Sequence, residues 1–67
     1  MKTVSTIGEK IILLRKKLGI TKYRLAKEIG TADINISNYE NGVTSPRLET
    51  CYKIKAYAEK NGIEFEI

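Results

Sequence analysis

The residues of this 67-residue chain that could do chemistry are few. There is no histidine, so the commonest general base is missing. A single cysteine, Cys51, cannot build a Cys/His metal cluster without histidine, and it allows no internal disulfide. No glycine-rich loop has the spacing that cradles phosphate, and the eight Asp and Glu residues are scattered. Enzyme activity, a metal and a cofactor are therefore not expected. What the chain does offer is charge and hydrogen bonding. Its net charge of +4 is unevenly spread. Residues 1 to 27 carry Lys2, Lys10, Arg15, Lys16, Lys17, Lys22, Arg24 and Lys27 against Glu9 alone. The remainder carries four basic and seven acidic side chains. A basic half beside an acidic half predicts an oriented surface for a polyanion. A second group, Asp33, Asn35, Ser37, Asn38 and Asn41, packs amide, hydroxyl and carboxylate groups into one short stretch around Ile34.

Hydrophobic spacing supplies the elements that would hold these groups. In the stretch from Thr21 to Gly42, Leu25, Ala26 and Ile29 fall at i, i+1 and i+4, one face of a short helix. Thr21 is placed to cap it, and Gly30 follows as a natural stop. Thr31 can then cap another helix running from about Ala32 to Asn41, with Asp33 at the positive end of its dipole. Ile36 and Tyr39 face inward, which turns Asp33, Ile34, Asn35, Ser37, Asn38 and Asn41 outward. Two short helices joined by a tight glycine turn must cross steeply, and the small Ala26 lets them approach. That is the logic of a helix-turn-helix.

Before this stretch, Thr6 to Glu9 reads as a capping box. Ile7, Ile11, Leu14 and Leu18 then form a helical stripe that Gly19 ends. Ile12 and Leu13 point off that stripe and form a second apolar patch that something must cover. After it, Ser45-Pro46 signals the start of a fourth helix, with Leu48, Cys51, Ile54 and Ala58 on its buried stripe and Lys55 at the edge. Cys51 is thereby expected as a small core residue. Asn61-Gly62 stops this helix, and Ile63 to Ile67 switches to period two, the pattern of a strand. No apolar run is long enough to span a membrane, and Met1 to Ser5 lacks a signal-peptide core. A single cytoplasmic domain over residues 1–67 is expected.

Leu25-Ala26, Gly30, Ile36, Glu40 and Gly42 occur together at these spacings. On them, over residues 7 to 58, the chain resembles the Cro/repressor-type (XRE-like) helix-turn-helix family. The resemblance implies an all-α, four-helix repressor-like domain, here followed by the short C-terminal β-strand. It also implies double-stranded DNA as partner, with the third helix entering the major groove. Asp33, Ile34 and Asn38 fall where the family reads bases, with Asn35 and Ser37 beside them. Asn38 can pair bidentately with adenine, Ile34 can lie on a thymine methyl, and Asp33 can accept from a base amino group. Lys22 resembles the family's phosphate-contacting position, although the family most often has glutamine there. Asn41, Thr44, Ser45 and Arg47 match the loop that grips phosphate on the other side, with Lys27 and Lys10 as weaker candidates. Arg15 and Glu40 resemble an ion pair joining the first helix to the third. The chain departs from the family at Ile12 and Leu13, usually polar, and at Lys55, usually small and apolar.

The expected function is that of a small dimeric, sequence-specific DNA-binding regulator, a repressor by resemblance. The second reading is an antitoxin-like protein-binding module that holds a partner protein, which the patch at Ile12 and Leu13 would also fit. The dimer is expected through the C-terminal strand, residues 63–67. Ile63, Phe65 and Ile67 share one side of it, Glu64 and Glu66 the other. A lone strand leaves its backbone groups unpaired, so the same strand of a second copy is the expected partner, covering Ile12 and Leu13. Pairing with Thr3-Val4-Ser5 inside one chain is the rival.

Overall fold

The computed structural model describes residues 7–65. They form four helices, α1 (Ile7–Leu18), α2 (Lys22–Ile29), α3 (Asp33–Glu40) and α4 (Leu48–Lys60). In α1 the stripe buries Ile11 and Leu14 completely and leaves Ile7 and Leu18 half-buried at its ends. Thr6 of the expected capping box lies outside the described residues. α2 begins at Thr21, whose Oγ1 accepts from the Arg24 N–H at 3.1 Å. It ends at Gly30, whose φ of 80° is left-handed backbone that glycine adopts without strain.

Two expected helix starts are corrected. Thr31 does not cap α3. Its own N–H is still bonded to the Ala26 carbonyl at 2.8 Å, so Thr31 belongs to the end of α2, and Ala32 takes the cap position without a side-chain bond. The helix consequently runs from Asp33 to Glu40, inside the expected bounds. Nor does α4 begin at Ser45-Pro46. Arg47 is extended, with ψ 161°, and the Cys51 N–H bonds the Arg47 carbonyl at 2.9 Å. The Pro46 carbonyl instead faces the Cys51 thiol at 3.8 Å. The buried stripe of α4 is Cys51, Ile54 and Ala58, without Leu48, which is 61% exposed. Leu48 lies six residues before Ile54, about a third of a turn away from the centre of the buried face.

Ile11, Leu14, Leu25, Ala26, Ile29, Ile36, Ile54, Ala58 and Phe65 form one core, reached by at least one residue from every helix. Phe65, from the segment expected as a strand, sits in that core. No strand occurs among the described residues. After α4 the Ile63 N–H bonds back to the Ala58 carbonyl at 2.9 Å, and the chain runs beside α1. Phe65 is only 4% exposed. The Lys55 ammonium donates to the Phe65 carbonyl at 3.4 Å. Ile63 and Phe65 of the period-two segment thus pack on the core of their own chain, and Lys55 supplies one of the backbone contacts that a neighbouring strand would have made. Leu13, 53% exposed, and Leu14 line a shallow groove of about 310 Å³ with Ile63 and Phe65 of the same chain, while Ile12 is half-buried. Glu66, Ile67 and Thr3-Val4-Ser5 lie outside the described residues.

Candidate nucleic-acid interface

α3 is held from two sides and open on the third. It packs against α2 and α1, with Ile36 fully buried between them. Ala26, 1% exposed, lies in the same core on α2. The opposite side of α3 is not simply polar, because Ile34 there is 60% exposed. Asp33 and Asn41 are exposed beside it, and Asn35, Ser37 and Asn38 are half-buried.

Hydrogen bonding separates the polar groups of this face. The Asn35 side-chain N–H donates to Thr31 Oγ1 at 2.8 Å, so part of that amide is already committed. The Asn38 amide has no partner among the described residues. Its backbone carbonyl instead accepts from the Val43 N–H at 2.9 Å and the Thr44 N–H at 3.4 Å, which ties the following loop to α3. Ser37 Oγ accepts from Lys22 Nζ and from Asn41 Nδ2, each at 3.5 Å. The structure therefore brings Lys22, Ser37 and Asn41 together. Lys27 has no bond to this group; it is exposed on α2 and lines a shallow groove with Tyr23, Thr31 and Asp33. Thr44, Ser45 and Arg47 are exposed in the loop between α3 and α4.

The last residue of α3 is tied to α1. Arg15 Nε donates to Glu40 Oε2 at 2.6 Å and Nη2 donates to Oε1 at 3.0 Å, a bidentate pair. Nη1 donates to the Ile20 carbonyl at 3.2 Å. Hydrogen bonding to Glu40 raises the Arg15 pKa above its ordinary value, against the opposing effect of burial. Arg15 is thus part of the scaffold. Gly8, which the hydrophobic pattern does not single out, is buried where α1 touches the end of α3: a Cβ there would overlap the Tyr39 carbonyl oxygen. Its signal in the sequence is a glycine inside a helical stripe.

Cys51 is buried, and desolvation pushes its thiol pKa up, which keeps it protonated and poorly nucleophilic. Among the described residues no cluster of acidic and sulfur ligands could hold a metal ion, and no helix is long and apolar enough to cross a membrane.

No curated protein matches the chain. Among solved structures, the P22 c2 repressor protein in complex with synthetic operator 9T in the presence of Tl+ is 32% identical with a TM-score of 0.74, over 79% of this chain and 80% of that one. The solution structure of the DNA-binding domain (1-76) of the P22 c2 repressor is 31% identical with a TM-score of 0.77, over 82% of this chain and 72% of that one. The helix-turn-helix family model matches residues 11–63, which cover all of α2, α3 and α4 and most of α1. With that span and those identities, the chain belongs to the helix-turn-helix family of the Cro/repressor (XRE) type, a DNA-binding and non-enzymatic family.

Proposed function

We propose that this protein is a transcriptional repressor that binds a palindromic double-stranded DNA operator as a homodimer, with α3 in the major groove. The observation that carries the reading is the outer face of α3, where exposed Ile34 sits on the same short helix as an Asn38 amide that has no partner among the described residues. An exposed isoleucine beside a free amide suits a thymine methyl next to an adenine edge. The P22 c2 repressor, similar over most of its chain, was crystallised with operator DNA. Asp33, Ile34 and Asn38 are the proposed base readers, with Asn35 and Ser37 at the edge of the site. Lys22, Asn41, Thr44, Ser45 and Arg47 take the phosphates, with Lys27, in the groove beside Asp33, and Lys10 as weaker contacts. The test is selection of bound sites from a random DNA pool, followed by binding at two salt concentrations. A recovered palindrome and a steep loss of affinity with salt are expected. An antitoxin-like module, whose task is to hold a partner protein, would return no preferred site.

Asn38→Ala should weaken binding to the selected site by about 1–3 kcal/mol and relax preference at one base pair. Equal loss on every sequence would remove Asn38 from base reading. Lys22→Ala should act differently, because an ammonium beside Ser37 grips backbone rather than sequence. Affinity should fall on all sequences and the salt slope should drop by about one unit. An unchanged slope would place Lys22 outside the interface.

A further inference from the structure

We propose that the outer face of α4 is the surface through which two copies of this chain meet on DNA. The inference rests on the DNA-binding reading above and gives it a contact between protomers. α4 is apolar on two sides. Its inner face is Cys51, Ile54 and Ala58. On the outside Leu48 is 61% exposed, Tyr52 is 56% exposed and Ala56 is exposed, at i, i+4 and i+8. Single exposed apolar residues are ordinary, but three along one line of a helix form a seam.

A second copy fits this seam better than an unrelated partner. In an antiparallel pair centred near Tyr52, Leu48 of each copy meets the partner's Ala56, large against small at both ends. The charges on the flank follow the same symmetry. Glu49 and Lys53 are exposed, one turn apart, and neither has an ion-pair partner among the described residues. Lys55 and Glu59, by contrast, are paired within the chain at 3.3 Å. Antiparallel packing sets each Glu49 against the partner's Lys53, twice over by the two-fold axis. Parallel packing would turn the two Glu49–Lys53 flanks to opposite sides of the seam, where they could not meet. The seam also starts directly after Arg47, a proposed phosphate contact, so a copy seated there lies next to the DNA. The C-terminal segment is a poorer anchor, because Phe65 is consumed by its own core. A seam of three small-to-medium contacts is below the size of a stable dimer interface. It is made when two half-sites hold both copies at high local concentration.

The experiment compares binding to the selected full site with binding to its isolated half-site. The second copy should bind the full site about 5- to 150-fold more tightly than the half-site affinity predicts. Tyr52→Glu should abolish that gain and leave half-site affinity unchanged, which also reports that the variant is folded. Glu49→Lys and Lys53→Glu should each reduce the gain by roughly two- to fivefold, and the double charge swap should restore it. Cooperativity that survives Tyr52→Glu, or a double swap no better than the sum of the single losses, overturns the α4 interface. So does independent binding of the two half-sites by the parent protein. A parent that selects no DNA at all overturns instead the reading on which the inference stands.

Discussion

Arg15→Ala should lower the stability of the chain by about 3–5 kcal/mol, the largest loss expected from any one polar side chain. The reason lies in what is left behind. Glu40 has a side chain only 5% exposed, and both of its carboxylate oxygens are bonded to the Arg15 guanidinium. Removing Arg15 strands a buried negative charge without donors. Glu40→Ala should cost less, about 2–3 kcal/mol, because Arg15 is 20% exposed and keeps the Ile20 carbonyl. The double mutant should lose less than the sum, since neither charge is then stranded. Urea or thermal melts of the three variants test this. Small, additive losses would mean that the pair contributes little to folding. Because Glu40 is the last residue of α3, the same pair helps fix the angle of the proposed reading helix against α1. Variants that remain folded at low temperature should still bind DNA less tightly.

The helices and their order could be read from the sequence because apolar spacing is a local property. Ile7, Ile11 and Leu14 set α1, Leu25, Ala26 and Ile29 set the inner face of α2, and Gly30 marks a turn for which left-handed backbone is needed. With Ile36 in the core, the outward face of α3 follows by subtraction. Arg15 and Glu40, 25 residues apart, are linked in the sequence only by family resemblance, and they meet in the structure. What could not be read were the partners of groups with two possible destinations. A period-two segment looks the same whether its apolar side meets a second copy or its own core, and Phe65 goes to the core. The clue was Lys55, a charge at the edge of a buried stripe, which turns out to hold the Phe65 carbonyl. Thr31 had the same ambiguity. It could cap α3 or complete the end of α2, and its N–H had already been taken by the Ala26 carbonyl. Leu48 fitted the fourth-helix stripe by spacing alone, but the packed face is narrow and centred on Ile54.

Gly8→Ala should destabilise the chain by about 1–3 kcal/mol, although alanine is the better helix former. On an exposed helix the substitution would add up to about 1 kcal/mol of stability, because glycine loses more backbone freedom on folding. Here the sign reverses for a steric reason. Gly8 is buried in the first turn of α1, and a Cβ on it would overlap the Tyr39 carbonyl oxygen and lie 3.2 Å from both the Cα and the carbonyl oxygen of Glu40. All three atoms are backbone at the end of α3, so no side chain can swing aside. α1 must lift, and the lift is transmitted to Glu40, which Arg15 holds from two turns further along the same helix. Glu40 is therefore fixed at two points of α1, and the two should be coupled. Combining Gly8→Ala with Arg15→Ala should cost less than the two losses added together, because a displaced α1 has already weakened the pair. Denaturation of Gly8→Ala and of the double variant gives both numbers. A Gly8→Ala protein as stable as the parent or more so would show that α1 and α3 have slack between them, and the close approach would lose its role in setting the reading helix.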